Sequence, residues 1–190
     1  GVFLTMLNKQ YTSMLQEKDV IFEIFQYATE RAKVVGAENI YDFSLGNPSV
    51  PAPSIVNETI VQKVNTLDPL ALHGYSPSFG IMETREKIAV FLNKKYGSSY
   101  KASNIFMAIG AAGALAHAFR AVTNPGDEII TFAPCFSEYK PYTAGAGLKL
   151  TIIPADIDTF QINFAAFEAQ LNENTTAVLI NSPKNPSGIV

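Results

Sequence analysis

The tightest constraint in this chain lies at Gly110-Ala111-Ala112-Gly113-Ala114-Leu115, which follows the apolar run Ile105-Phe106-Met107-Ala108-Ile109 and heads a helix-like segment reaching Val122. An apolar strand-like run, then small residues, then a helix start leaves unpaired backbone N–H groups converging on one spot, where the helix dipole favours negative charge. Such a turn is an anion cradle, most often for phosphate. It is also a common way of packing a helix on a strand, and the stretch alone leaves both readings open. Gly110 can take φ angles closed to other residues, and small side chains let an anion approach the backbone.

The segments around this turn alternate between short apolar runs and helical periodicities. Ser13 to about Val35 carries Ile21, Ile24, Phe25, Ala28 and Ala32 at helical spacing, with Glu17, Lys18, Glu23, Glu30 and Arg31 mostly off that stripe. A short extended run, Ile40 to Leu45, leads into the proline-rich Gly46 to Pro53, a rigid linker. Ser54 reads as the N-cap of a helix with Ile55, Thr59, Ile60 and Val64 inward, and a further helix is expected from Ile81 to about Tyr96. Arg85 would lie on a partly apolar side of that helix, where a structural salt bridge is the default expectation. Asn124-Pro125-Gly126-Asp127 is a turn, Pro134 to Ala144 a helix, and Asn163 the cap of a helix over Phe164 to Leu171. Strands are expected near 105–109, 128–132, 148–153 and 177–181. Strands alternating with helices in this way predict a three-layer α/β/α domain with a mostly parallel sheet, whose ligands bind beyond the carboxyl ends of the strands.

Composition narrows the partner. A net charge of -3 without any Lys/Arg run argues against nucleic acid, and no apolar run approaches the length needed to span a bilayer, so a small molecule is the expected ligand and neither membrane nor nucleic acid a partner. The single cysteine, Cys135, excludes an intrachain disulfide and a cysteine-based metal site, and fits a reducing, cytoplasmic setting. No secretory signal is apparent at the start.

Several of these loops together carry a resemblance. Asn181-Ser182-Pro183-Lys184-Asn185-Pro186-Ser187-Gly188 is similar to the N-x-P-x-N-P-[ST]-G loop of fold-type I pyridoxal-phosphate enzymes, in particular class I/II aminotransferases of the aspartate aminotransferase type. Gly110 to Leu115 matches that family's phosphate loop, with Ala where many relatives carry Ser or Thr. Asn124-Pro125-Gly126-Asp127-Glu128, followed by Pro134-Cys135-Phe136, resembles its N-P-G-D-E and P-x-[FYW] segments. Tyr75 with Gly80 and Arg85 resembles its Tyr-x4-Gly loop, and Gly46 matches the glycine of its G-x-P segment.

The resemblance implies a cofactor, pyridoxal 5'-phosphate, and a role for each matching position. Ala111 and Ala112 would bind the phosphate through backbone N–H groups at the Gly110 turn. Phe136 would stack on the pyridine ring, against the alternative that it is plain core, and Asn185 would donate to the ring's phenolic oxygen. Tyr75 would reach the phosphate of a neighbouring subunit, implying a homodimer, and Gly46 would lie beside the substrate carboxylate. The substrates implied are an amino acid and a 2-oxo acid.

The lysine that holds the cofactor as a Schiff base lies, in the family, downstream of the Asn-Pro loop, so this chain is expected to be the N-terminal part of a longer enzyme and to be inactive alone. Residues 1–46 are expected to be an arm of the small domain and 47–190 the first part of the large cofactor-binding domain. Lys184 reads as a solvated loop charge, His117 as a packed or capping side chain and His73 as at most a site-edge residue. Two alternatives stay open: another fold-type I enzyme such as a C–S lyase, and a dinucleotide-binding oxidoreductase domain, whose G-x-G-x-x-G fingerprint Gly110 and Gly113 fail to complete.

Overall fold

The computed structural model describes residues 8–14, 20–44, 46, 48 and 50–190, which divide into two compact units, Gly1–Tyr75 and Ser76–Val190. In the first unit, α2 (Val20–Val35) lies within the helix expected from Ser13 to about Val35, while α1 (Lys9–Met14) starts before it and shares only Ser13 and Met14 with it; residues 15–19, with Glu17 and Lys18, fall outside the described residues. Gly36, at φ 90°, ends α2 and leads into a 3-10 turn over Ala37–Asn39. No strand forms over 40–44, and Leu45 is not among the described residues. α3 (Ser54–Thr66) starts one residue earlier than expected: Pro53 is its N-cap, and Ser54 becomes the first helical residue with no capping bond. The apolar stripe of α3 is exposed, with Ile60 at 56% and Val64 at 58%, and α2 likewise buries no residue. Periodicity defines a face, but only an element packed opposite it produces burial. The unit closes with α4 (Pro69–His73), where the Asp68 carboxylate accepts the Ala71 N–H at 3.0 Å.

The second unit holds α5 (Met82–Tyr96), α6 (Gly110–Val122), β1 (Glu128–Phe132), α7 (Tyr139–Gly145), β2 (Lys149–Ile153), α8 (Phe164–Gln170) and β3 (Thr175–Val178). The three strands are parallel in the order β2-β1-β3. β1 pairs with β2 from Glu128↔Lys149 to Phe132↔Ile153, and with β3 through Glu128↔Thr175 and Ile129↔Ala177, leaving Thr176 as an irregularity. All five residues of β1 are buried, as a central parallel strand covered on both faces requires. Its neighbouring side chains feed opposite cores. Ile129 packs with Phe119 of α6 and Leu148, while Ile130, Phe132 and Ile153 pack with Ala166 and Phe167 of α8. Helices therefore cover both faces, giving the expected α/β/α layering.

Glu128, 2% exposed, accepts hydrogen bonds from Thr151 Oγ1 (2.9 Å), Asn172 Nδ2 (2.9 Å) and Thr175 Oγ1 (3.2 Å), and pairs with Lys149 Nζ. The turn at Asn124–Asp127 forms as expected: Gly126 takes φ 96° and the Asp127 carboxylate accepts the Asn124 N–H at 2.8 Å.

Two expectations are corrected here. The run 105–109 is not a strand of the sheet; Phe106 is 52% and Ile109 95% exposed. A strand needs a ladder, and Ile105 and Met107 bond instead to the Arg85 side chain (2.8 Å) and the Phe79 carbonyl (3.4 Å). The helix expected from Pro134 begins only at Tyr139. Pro141 is the reason: without an N–H it is tolerated in a helix's first turn, and a start at Pro134 would have placed it mid-helix.

Candidate active site

The loops leaving β1 and β3 meet beyond the carboxyl ends of those strands. Leu179 N–H donates to the Ile130 carbonyl at 2.8 Å and Thr131 Oγ1 to the Leu179 carbonyl at 2.9 Å, so the two chains stay together to the edge of the sheet. After Leu179 the chain folds on itself: Asn181 Oδ1 accepts the Asn185 N–H at 2.7 Å, and Lys184 N–H donates to the Ile189 carbonyl at 2.7 Å. The Ala133–Pro134, Ser182–Pro183 and Asn185–Pro186 peptides are cis. These loops enclose a cavity of about 80 Å³ whose lining includes Thr131, Cys135, Phe160, Asn181, Lys184 and Asn185. Burial pushes the Cys135 thiol up, against a downward pull from the Lys184 charge. Tyr139, on the same wall, is raised by burial first and then by Cys135 and Tyr142.

Lys184 corrects the sequence reading. It is half-buried, and its Nζ donates to the carbonyls of Ala133 (3.2 Å) and Phe160 (3.1 Å) instead of standing in solvent. Arg85 corrects it too. At 9% exposure it carries no salt bridge among the described residues; its Nε donates to the Ile105 carbonyl at 2.8 Å and its guanidinium lies 5.8 Å from the Phe79 ring centroid.

Gly110, Ala111, Ala112 and Phe136, in the same unit, do not line that cavity. Gly110 opens α6 at φ 66°, and a Cβ placed there meets nothing within 4 Å. Ile109 makes no side-chain capping bond, no acidic residue stands in the first turn, and Ala111 and Ala112 are exposed. The N-terminal N–H groups of α6 are thus open donors over small side chains. Phe136 is half-buried, its ring 5.8 Å from that of Tyr139 in an edge-on arrangement. His117 lies within α6, edge-on to Phe106 at 5.6 Å. In the other unit, Tyr75 is fully exposed and Gly46 exposed between two residues not described. Among the described residues, no cluster of His, Cys, Asp or Glu could hold a metal, and no helix is long and apolar enough to cross a membrane.

The second unit is thus an α/β/α layer with two loops meeting beyond the carboxyl ends of β1 and β3 and a glycine-led start to α6. The chain belongs to the class I and II aminotransferase family, whose sequence profile matches residues 37–190. The crystal structure of an aminotransferase from Eubacterium rectale is similar at a TM-score of 0.89 and 48% identity, covering 95% of this chain and 46% of that one. Aspartate aminotransferase of Thermotoga maritima is 32% identical over 164 residues, 86% of this chain and 42% of that relative. A crystal structure of aspartate aminotransferase from the same organism gives a TM-score of 0.82 at 28% identity, over 96% of this chain and 47% of that one. Methionine aminotransferase of Escherichia coli is 29% identical over 163 residues, 85% of this chain and 41% of that relative. The chain thus spans about two-fifths of the length of these curated relatives. Membership in this family sets aside the dinucleotide-binding alternative.

Proposed function

We propose that this chain forms the first part of a pyridoxal 5'-phosphate-dependent aminotransferase that moves an amino group between an amino acid and a 2-oxo acid. Residues 1–46 are assigned to an arm of the small domain and 47–190 to the large domain, within a cytoplasmic homodimer. The relatives named aspartate and methionine aminotransferases support transamination over lyase chemistry. When bound, the cofactor supplies an electron-sink ring for bond changes at the substrate α-carbon.

The chain's own residues fit that group. The open first turn of α6 suits a phosphate: N–H donors without a side-chain cap, the favourable end of the helix dipole, and open space at Gly110, where a Cβ would meet nothing within 4 Å. Ala111 and Ala112 contribute N–H groups there, without hydroxyls. Phe136 is assigned to the ring face and the Asn185 amide to the phenolic oxygen. Tyr75 is assigned to a neighbouring subunit's phosphate and Gly46 to the substrate carboxylate. No residue of this chain is assigned the covalent link, so the 190 residues alone are expected not to turn over.

The observation that carries the reading is the uncapped, glycine-led start of α6. Its test is the affinity of the chain for pyridoxal 5'-phosphate against pyridoxal, followed by cofactor absorbance, in wild type and Ala112→Asp. The phosphate should tighten binding in the wild type, and the aspartate should erase the difference by placing like charge in the cradle. Equal affinity for the two compounds in the wild type would refute the phosphate assignment.

A further inference from the structure

Three loops on the cavity wall converge on one ammonium. Lys184 Nζ reaches the carbonyl of Ala133, just past β1, at 3.2 Å, and that of Phe160, in the connection between β2 and α8, at 3.1 Å. Its backbone belongs to the loop after β3, which it closes by accepting the Gly188 N–H at 2.6 Å and donating to the Ile189 carbonyl at 2.7 Å. Past the Leu179 contacts, Lys184 supplies the only hydrogen bond between residues 133–138 and 180–190 among the described residues. Phe160 is also the only non-glycine at positive φ (56°) among them, a conformation that persists where surrounding contacts hold it.

We propose that Lys184 is a positioning residue of the ring site: by bridging the Ala133 and Phe160 carbonyls, its ammonium fixes the loop that carries Phe136 relative to the loop that carries Asn185. This rests on the assignment of Phe136 and Asn185 to the cofactor ring made above. Ala133 stands three residues before Phe136 and Lys184 immediately before Asn185, so slack at the clamp is passed directly to both. Charge suits the task, since a bond from an ionised donor is shorter and stronger than a neutral one. Each carbonyl it holds is a backbone acceptor that needs a donor, and the Lys184 ammonium supplies it.

Cys135 lines the same cavity and is the chain's single thiol, so it reports on the clamp without any cofactor. The rate of its reaction with a neutral aromatic disulfide is compared in wild type, Lys184→Met and Lys184→Arg, at a temperature where circular dichroism shows each folded. Loss of a charge-assisted bond should raise the population of the opened loop, and with it the rate, by about tenfold in Lys184→Met. Lys184→Arg, which keeps a charged donor, should stay close to wild type. The sign is diagnostic. Removing the charge alone would favour the neutral thiol and slow the reaction, so an unchanged or slower rate in Lys184→Met overturns the clamp. If Lys184→Met does not fold, the wild type decides: a hydrogen-bonded ammonium gives a slowly exchanging ¹H–¹⁵N signal at low temperature, and a Lys184 ammonium exchanging as fast as those of exposed lysines overturns it. Pyridoxal 5'-phosphate affinity of the same proteins separates the two readings. Weaker binding in Lys184→Met with faster thiol reaction supports the ring-site role. No measurable binding by wild type overturns the cofactor reading and the ring-site role with it, while the thiol rates still judge the clamp.

Discussion

Replacing Glu128 by Gln should remove a pH-dependent share of this chain's stability. The carboxylate is buried at the start of β1 and takes donors from Thr151 of β2, Thr175 of β3 and Asn172 before β3, besides the Lys149 ammonium. The Lys149 bond leads in holding the carboxyl from 4.5 down to about 2, with burial opposing it. A displacement of that size corresponds to at most about 3 kcal/mol. Because Lys149 is 70% exposed and screened by solvent, about 2 kcal/mol is the working figure. The folded value is depressed, so the contribution is fully present above the unfolded value of 4.5 and is lost as pH falls toward 2. Gln keeps one acceptor but turns an NH₂ toward the surrounding donors. Urea unfolding read by far-UV circular dichroism suits a chain without tryptophan. Wild type should exceed Glu128→Gln by about 2 kcal/mol near pH 7, and most of that gap should close by about pH 2. A gap of the same size at both pH values would show that packing, not ionisation, makes Glu128 matter.

Gly110→Val places a β-branched residue at φ 66°, which should cost about 1–2 kcal/mol in urea unfolding although nothing crowds the new Cβ; an unchanged midpoint would contradict the left-handed conformation. Borohydride reduction of the chain with pyridoxal 5'-phosphate, followed by peptide mapping, should label no single lysine stoichiometrically. Lys184 in particular is tied as a donor to two carbonyls, and its clean labelling would refute that arrangement.

Local chemistry was the part of this molecule most open to reading from sequence. The Asn124–Asp127 turn, the Asn163 side-chain cap on the Ala166 N–H (2.9 Å) and the three strands of the sheet each follow from residues close together in the chain. What failed depended on partners. The run 105–109 has strand-like residues, but no neighbouring strand supplies a ladder, and the faces of α2 and α3 were legible as apolar without being buried. Arg85 and Lys184 were read by charge, which suggests carboxylates or water. Each instead meets backbone carbonyls, at 20 residues' separation for Arg85 and at 51 and 24 for Lys184, contacts that no local pattern encodes. Motif strings singled out Gly110, Phe136 and Asn185 for the proposed site, and the cavity wall around Asn185 emerged only with the fold.

The bond from Arg85 to the Ile105 carbonyl gives the segment before α6 one rung of a ladder without a strand. The contact from Met107 N–H to the Phe79 carbonyl, at 3.4 Å, is a second, weaker rung, and Gly80 sits so close that a Cβ there would fall 2.2 Å from Met107 Cγ. An extended apolar run with vacant backbone groups is an invitation to edge-to-edge pairing. Here the first rung is already taken by a guanidinium that is itself 9% exposed. An invading strand would have to evict it and leave a charged donor without its acceptor, at about 1–3 kcal/mol. Arg85 thus keeps the first carbonyl of 105–109 occupied, so any backbone pairing of this run would have to begin past Ile105.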